Sequence, residues 1–144
     1  MTTKRVLIIE DKPDMLDLLV MDLKAECKSL GVDIHIVTAS KLSSALKCVR
    51  EDQFNIISTD LQYPIGVDPK VDISAGFRFI YELRERLKRD TPIVLLTASD
   101  SEEIKKFQDL WAVTDDQFIL AKKENLDHWR EEMMKVLNSP KQEV

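Results

Sequence analysis

Short apolar runs alternate along this chain with stretches whose apolar residues recur at helical spacing. Val6-Leu7-Ile8-Ile9 is apolar at every position, the pattern of a parallel strand buried on both faces. Pro13 follows and suits the first turn of a helix. Met15, Leu18, Leu19 and Leu23 then fall on one helical face, and Gly31 supplies a stop. Ile34-His35-Ile36-Val37 reads as a second strand, and Leu42, Ala45, Leu46 and Val49 as the next amphipathic face. Phe54 to Thr59 is the third strand, ending at Asp60. A Pro-, Gly- and Asp-rich loop runs from Leu61 to about Ala75. A third helix starts near Gly76 with Phe79, Ile80, Leu83 and Leu87 inward and a solvated face of Arg84, Glu85, Arg86, Lys88 and Arg89. Pro92 to Leu96 is the fourth strand, and Ser101 caps a fourth helix bearing Ile104, Phe107 and Leu110. Phe118 to Ala121 is the fifth strand, and Leu126, Trp129, Met133, Val136 and Leu137 line a last helix.

Strands alternating with helices predict a parallel sheet covered on both faces. Right-handed crossovers make it a doubly wound α/β fold, with its functional crevice beyond the carboxyl ends of the strands. The 144 residues suffice for one domain, expected over 1–139, with 140–144 a short polar tail. Hydrophobic residues are 44% and charged residues 33%, and the net charge is -5, which argues against a chain-wide basic surface for nucleic acid or anionic membrane. No apolar run approaches the ~18 residues that span a bilayer. The N-terminus lacks a signal-peptide pattern, so a cytoplasmic location is expected. Cys27 and Cys48 are not at metal-ligand spacing and read as reduced thiols. His35 and His128 are isolated, which disfavours a zinc site or a His-based triad.

The informative residues are those directly after each apolar run. Glu10 and Asp11 follow strand one, Asp60 follows strand three, Thr97 and Ala98 follow strand four, and Lys122 follows strand five. A parallel sheet brings them to one rim. Clustered carboxylates repel unless a cation neutralises them, and Mg²⁺ prefers oxygen ligands of this kind. A carboxylate can also be a nucleophile, giving an aspartyl-phosphate. Thr97 can donate to one phosphoryl oxygen and Lys122 can pair with another. Taken singly, the acidic pair also reads as helix N-terminal acids, Asp60-Pro64 as a turn, and Lys122-Lys123-Glu124 as a solvated loop.

Ile8-Ile9-Glu10-Asp11-Lys12-Pro13, Asp60-Leu61-Gln62-Tyr63-Pro64, Leu95-Leu96-Thr97-Ala98 and Ala121-Lys122, in that order at strand ends, resemble the CheY-like response-regulator receiver domain of two-component signalling. The resemblance spans nearly the whole chain. It implies a flavodoxin-like five-stranded sheet in the order 2-1-3-4-5. It makes Asp60 the phospho-acceptor, Thr97 the switch hydroxyl and Lys122 the phosphoryl-contacting lysine. It implies Mg²⁺ or Mn²⁺ held by Asp11, Asp60 and the Gln62 backbone carbonyl, with Glu10 acting through bound water. The implied donors are a histidine kinase, a phosphotransfer protein or a small acyl phosphate. The chain would then be no enzyme beyond its own phosphorylation and dephosphorylation. With no DNA-binding module in the sequence, output is expected as protein–protein contact through the face of helix four, strand five and helix five. Phe107, Trp111, Phe118 and Trp129 are the candidate aromatics there.

Three departures from the family stand out. Lys123 follows Lys122 where the family has proline. Ile119 stands three before Lys122, where the family has an aromatic switch residue, while Phe118 stands four before; a bulge or an altered toggle would explain this. The segment from Asp60 to Gly76 is about twice the usual length, and 65–72 is expected to shield the phosphorylated site or to choose partners. A haloacid-dehalogenase-type phosphatase also uses a strand-end Asp, but it wants a second Asp where Gln62 stands. A flavodoxin would have its FMN phosphate repelled by Glu10 and Asp11. A receiver-fold adaptor working without phosphorylation remains the alternative.

Overall fold

The computed structural model describes residues 2–139; the expected polar tail at 140–144 lies outside the described residues. Its main sheet holds β1 (Lys4–Ile9), β2 (Ile34–Ala39), β3 (Ile56–Thr59), β4 (Ile93–Thr97) and β5 (Ile119–Lys122). The spatial order is β2-β1-β3-β4-β5, and every neighbouring pair is parallel. This is the parallel, doubly wound sheet expected from the apolar runs, in the order that the family resemblance implied. Helices α1 (Pro13–Leu30), α2 (Leu42–Glu51), α3 (Ala75–Tyr81) and α4 (Ser101–Leu110) make the crossovers, and α5 (Leu126–Leu137) follows the last strand. No helix among the described residues is long and apolar enough to cross a membrane.

Alternation along each strand splits the core in two. Val6, Ile8, Ile56, Val94, Leu96 and Ala121 face α1 and α5, where Leu19, Leu23, Cys27, Trp129 and Met133 are buried. Leu7, Ile9, Ile57, Ile93 and Leu95 face the other layer, with Ala45, Phe77, Phe79, Ile80 and Phe107. Trp129 is fully buried, and its indole N–H donates to the Ser58 hydroxyl at 2.9 Å. Full burial of side chains this large supplies most of the fold's stabilisation.

Several local expectations shift by a residue or two, each for a physical reason. β3 starts at Ile56 because Asn55 is used differently: its side-chain carbonyl accepts from the Arg5 N–H at 2.8 Å. The α4 cap is Asp100, not Ser101; its carboxylate accepts from the Glu103 N–H at 2.9 Å. Leu18, placed on the buried face of α1 by spacing, is exposed, and Cys27 takes the inward position instead. α3 continues as a π-helical turn over Glu82–Arg86, and Arg84 leaves the solvated face to donate to the Gln117 and Arg89 carbonyls. Burial pushes the Cys27 thiol up to about 11, in keeping with an inert, packed thiol.

Candidate functional site at the carboxyl edge of the sheet

The last buried residues of β1, β3 and β5 are continued by charges on the same face. Ile8 and Ala121 belong to the α1/α5 layer, and Ser58 is bonded to Trp129 of that layer. Two residues further on stand Glu10, Asp60 and Lys123. The structure brings these three together. Lys123 Nζ lies 2.8 Å from Asp60 Oδ2 and 3.0 Å from Glu10 Oε1. Glu10 is 1% and Asp60 7% exposed, so both carboxylates sit inside the protein rather than on it. Asp11 joins them: one carboxylate oxygen from each of Glu10, Asp11 and Asp60 lies within 4.8 Å of the others.

This placement corrects the lysine assignment. Lys122 was expected to reach the phosphoryl group; it does not line the cavity that holds Asp60, and its ammonium donates instead to the Ser99 carbonyl. Lys122 pairs in register with Thr97, and Ala121, on the α1/α5 face, precedes it, so alternation sends the Lys122 side chain the other way. Lys123, and not Lys122, stands beside Asp60. Glu124 then follows the lysine, and there is no cis peptide bond among the described residues. Leu120, 38% exposed, stands three before it. The β4–β5 register runs unbroken from Val94↔Ile119 to Thr97↔Lys122, so no bulge restores an aromatic there. Phe118 packs inward, edge-on to Phe77 with ring centroids 5.4 Å apart, and Ile119 packs against the α1/α5 layer.

The remaining residues complete a cavity of about 430 Å³ lined by Asp11, Asp60, Gln62, Thr97, Lys123 and the apolar pair Val71 and Ile73. Thr97 is buried, and its hydroxyl accepts from the Ser99 N–H at 3.0 Å. Asp60 is held by its own loop, with Oδ1 accepting from the Leu61 N–H at 2.7 Å. Gly76 makes that loop possible. A Cβ there would stand 2.4 Å from the Asp60 carbonyl oxygen, and the Gly76 N–H donates to the Leu61 carbonyl at 2.8 Å. Only a glycine lets the start of α3 approach the Asp60 backbone so closely.

Electrostatics at the site are strained. Burial raises the Asp60 pKa, Glu10 raises it further, and the Lys123 bond only partly offsets them. Burial disfavours the Lys123 ammonium, but its bonds to Asp60 and Glu10 prevail and its pKa stands above the ordinary lysine value. Three carboxylates face one ammonium, and Asp11 Oδ1 is buried without a hydrogen-bond partner. An all-oxygen donor set with an unpartnered carboxylate oxygen fits Mg²⁺ or Mn²⁺. Lys123, Gly76 and Ile73 were not marked as site residues by the sequence, whereas Val71 lies in the 65–72 segment expected to shield the site. Ala121 sets the parity that brings Lys123 to the site, but a strand apolar on both faces does not display that parity in its sequence.

No protein-family model matches the sequence, and no curated protein matches it. Solved structures do. The chemotaxis response regulator CheY4 of Vibrio cholerae is 23% identical and superposes with a TM-score of 0.68, covering 94% of this chain and 100% of that one. The response regulator TrrA from Thermotoga maritima, in complex with Mg²⁺ and BeF, is 28% identical with a TM-score of 0.67, covering 93% and 99%. The receiver domain of the sensor histidine kinase PA1611 from Pseudomonas aeruginosa, with magnesium coordinated in its active-site cleft, is 20% identical with a TM-score of 0.64, covering 95% and 99%. Over nearly its whole length, this chain has the CheY-like fold of response-regulator receiver domains.

Proposed function

We propose that the chain is a response-regulator receiver that accepts a phosphoryl group on Asp60 in the cytoplasm. The observation that carries this reading is the convergence of Glu10, Asp11, Asp60 and Lys123 at one strand-end rim. An Asp60 carboxylate oxygen attacks the phosphorus of a phosphohistidine or acyl phosphate. The bond to the donor breaks, and the donor leaves with the electron pair. Glu10, Asp11, Asp60 and the Gln62 carbonyl would hold Mg²⁺ or Mn²⁺. The cation, when bound, neutralises charge on the phosphoryl oxygens. Lys123, already on Asp60, is placed to pair with one phosphoryl oxygen, and the Thr97 hydroxyl to bond another. The similar solved structures that contain magnesium, one of them with the ion in its active-site cleft, support the metal.

A histidine kinase or phosphotransfer protein supplies the phosphoryl group, and output passes to a protein partner at the face of α4, β5 and α5. Of the aromatics expected on that face, Phe107 and Trp129 are buried, and Trp111 and Phe118 are half-buried against the core. Leu110 and Leu120 are its exposed apolar groups. A second reading, an adaptor that works without phosphorylation, is favoured by the aliphatic Leu120 at the toggle position. Incubation with acetyl phosphate and Mg²⁺, followed by intact mass, separates the two. Wild type gains one phosphoryl group and Asp60→Asn does not under the first reading; under the second, neither gains mass with any donor.

A further inference from the structure

We infer that the hairpin inserted after Asp60 is an apolar wall that lengthens the life of the aspartyl-phosphate. The inference rests on the phospho-acceptor reading and deepens it. After Leu61 the chain forms a short antiparallel pairing, Tyr63↔Asp72 and Pro64↔Val71. Both arms are pinned. Tyr63 is fully buried, with its hydroxyl 3.1 Å from Thr59 Oγ1. The Ser43 N–H donates to the Ile65 carbonyl at 2.9 Å. On the returning arm, Asp72 Oδ1 accepts from the Ser74 N–H at 2.9 Å, and the Trp111 indole N–H donates to the Ser74 hydroxyl at 3.0 Å.

Held this way, the returning arm presents Val71 and Ile73 to the cavity of Asp60, Thr97 and Lys123. They are 41% and 55% exposed, so they belong to the mouth of that cavity and not to the core. Two apolar side chains at the entrance of a charged pocket add little to folding; they change what can enter.

Hydrolysis requires a water oxygen to attack phosphorus opposite the Asp60 oxygen. The P–O bond to Asp60 breaks, Asp60 regains its carboxylate, the water proton passes to solvent, and inorganic phosphate leaves. That water must be held in line at the mouth, which needs room and a polar partner. Lys12, Gln62 and Ser99 are among the polar residues that line the same cavity. Val71 and Ile73 take up room among them and offer a water no hydrogen bond.

The test loads wild type, Val71→Asn/Ile73→Asn, a variant with 65–72 replaced by a tight turn, and Val67→Asn, using acetyl phosphate and Mg²⁺. The donor is then removed, and the label is followed by intact mass with Mg²⁺ present. Val67 is 98% exposed and does not line the cavity, so its variant controls for added polarity alone. The expected result is normal loading with decay several-fold faster in the double variant and in the shortened one, and wild-type decay in Val67→Asn. Both substituted sites are exposed, so an unchanged melting temperature confirms that the double variant folds. Equal or slower decay in the double variant overturns the wall and leaves Asp60 as acceptor. No label on wild type overturns both.

Discussion

Ile8, near the end of β1, and Glu10, just past it, are two residues apart and both buried; yet they are held by opposite physics. Ile8 is surrounded by Leu19, Leu23 and Trp129 and is stabilised by loss of apolar surface from water. Glu10 is buried with a charge, and Lys123 makes that tolerable. The same contrast separates Ala121 from Lys123, and Ser58, hydrogen-bonded to Trp129, from the ion-paired Asp60. The edge of the rim formed by Glu10, Asp60 and Lys123 therefore prolongs the core's own α1/α5 face, while Thr97 joins the cavity from the opposite parity. What differs is the stabilising force: shape and area behind, ion pairing and a cation's field in front.

The largest effect expected from this contrast is in the core. Trp129→Ala should cost about 3–5 kcal/mol in urea unfolding, because it leaves a cavity and strips Ser58 of its partner. A loss below about 1 kcal/mol would mean that the α1/α5 layer is not the sheet's main support.

Next comes the rim. Lys123→Met should slow labelling by acetyl phosphate by about a hundredfold, the scale for losing one charge-stabilising donor in a reactive site. Lys122→Met should leave the rate unchanged, since its ammonium is on the Ser99 carbonyl. The reverse outcome would return the role to Lys122.

The smallest effect is a pH dependence in metal-free, chelator-treated buffer. The Asp60 pKa is raised in the fold, first by burial and then by Glu10. Its stabilising contribution is thus full below the ordinary carboxylate range and is lost as the pH rises through the folded value. Asp60→Asn has no such loss and should gain stability relative to wild type as the pH leaves the acid range. Lys123, also raised, keeps its contribution through neutral pH and loses it only above the ordinary lysine range. A stability difference between variant and wild type that stays flat with pH would show that folding does not raise the Asp60 pKa.

The strands were readable because most are apolar runs bounded by turn residues, as at Val6 to Ile9, whereas their order came from the family resemblance and not from the runs. Glu10, Asp11 and Asp60 were readable because they follow such runs directly. Lys123 was not, for a related reason. A strand apolar on both faces, such as Phe118 to Ala121, hides which residues share a face, so the first lysine after it looks as good as the second. The aromatics of the output face failed differently. Spacing cannot tell that Trp129 reaches Ser58, or that Phe118 meets Phe77, since both contacts join distant segments. Val71 and Ile73 depend on a hairpin whose pairing leaves no periodic mark.

Reductive trapping of labelled protein tests the central claim most directly. Wild-type chain is treated with acetyl phosphate and Mg²⁺, quenched with borohydride, digested and sequenced by mass. The account predicts homoserine at position 60, with none formed when Mg²⁺ is replaced by chelator. Homoserine at another aspartate, or equal yield with and without the cation, would contradict it.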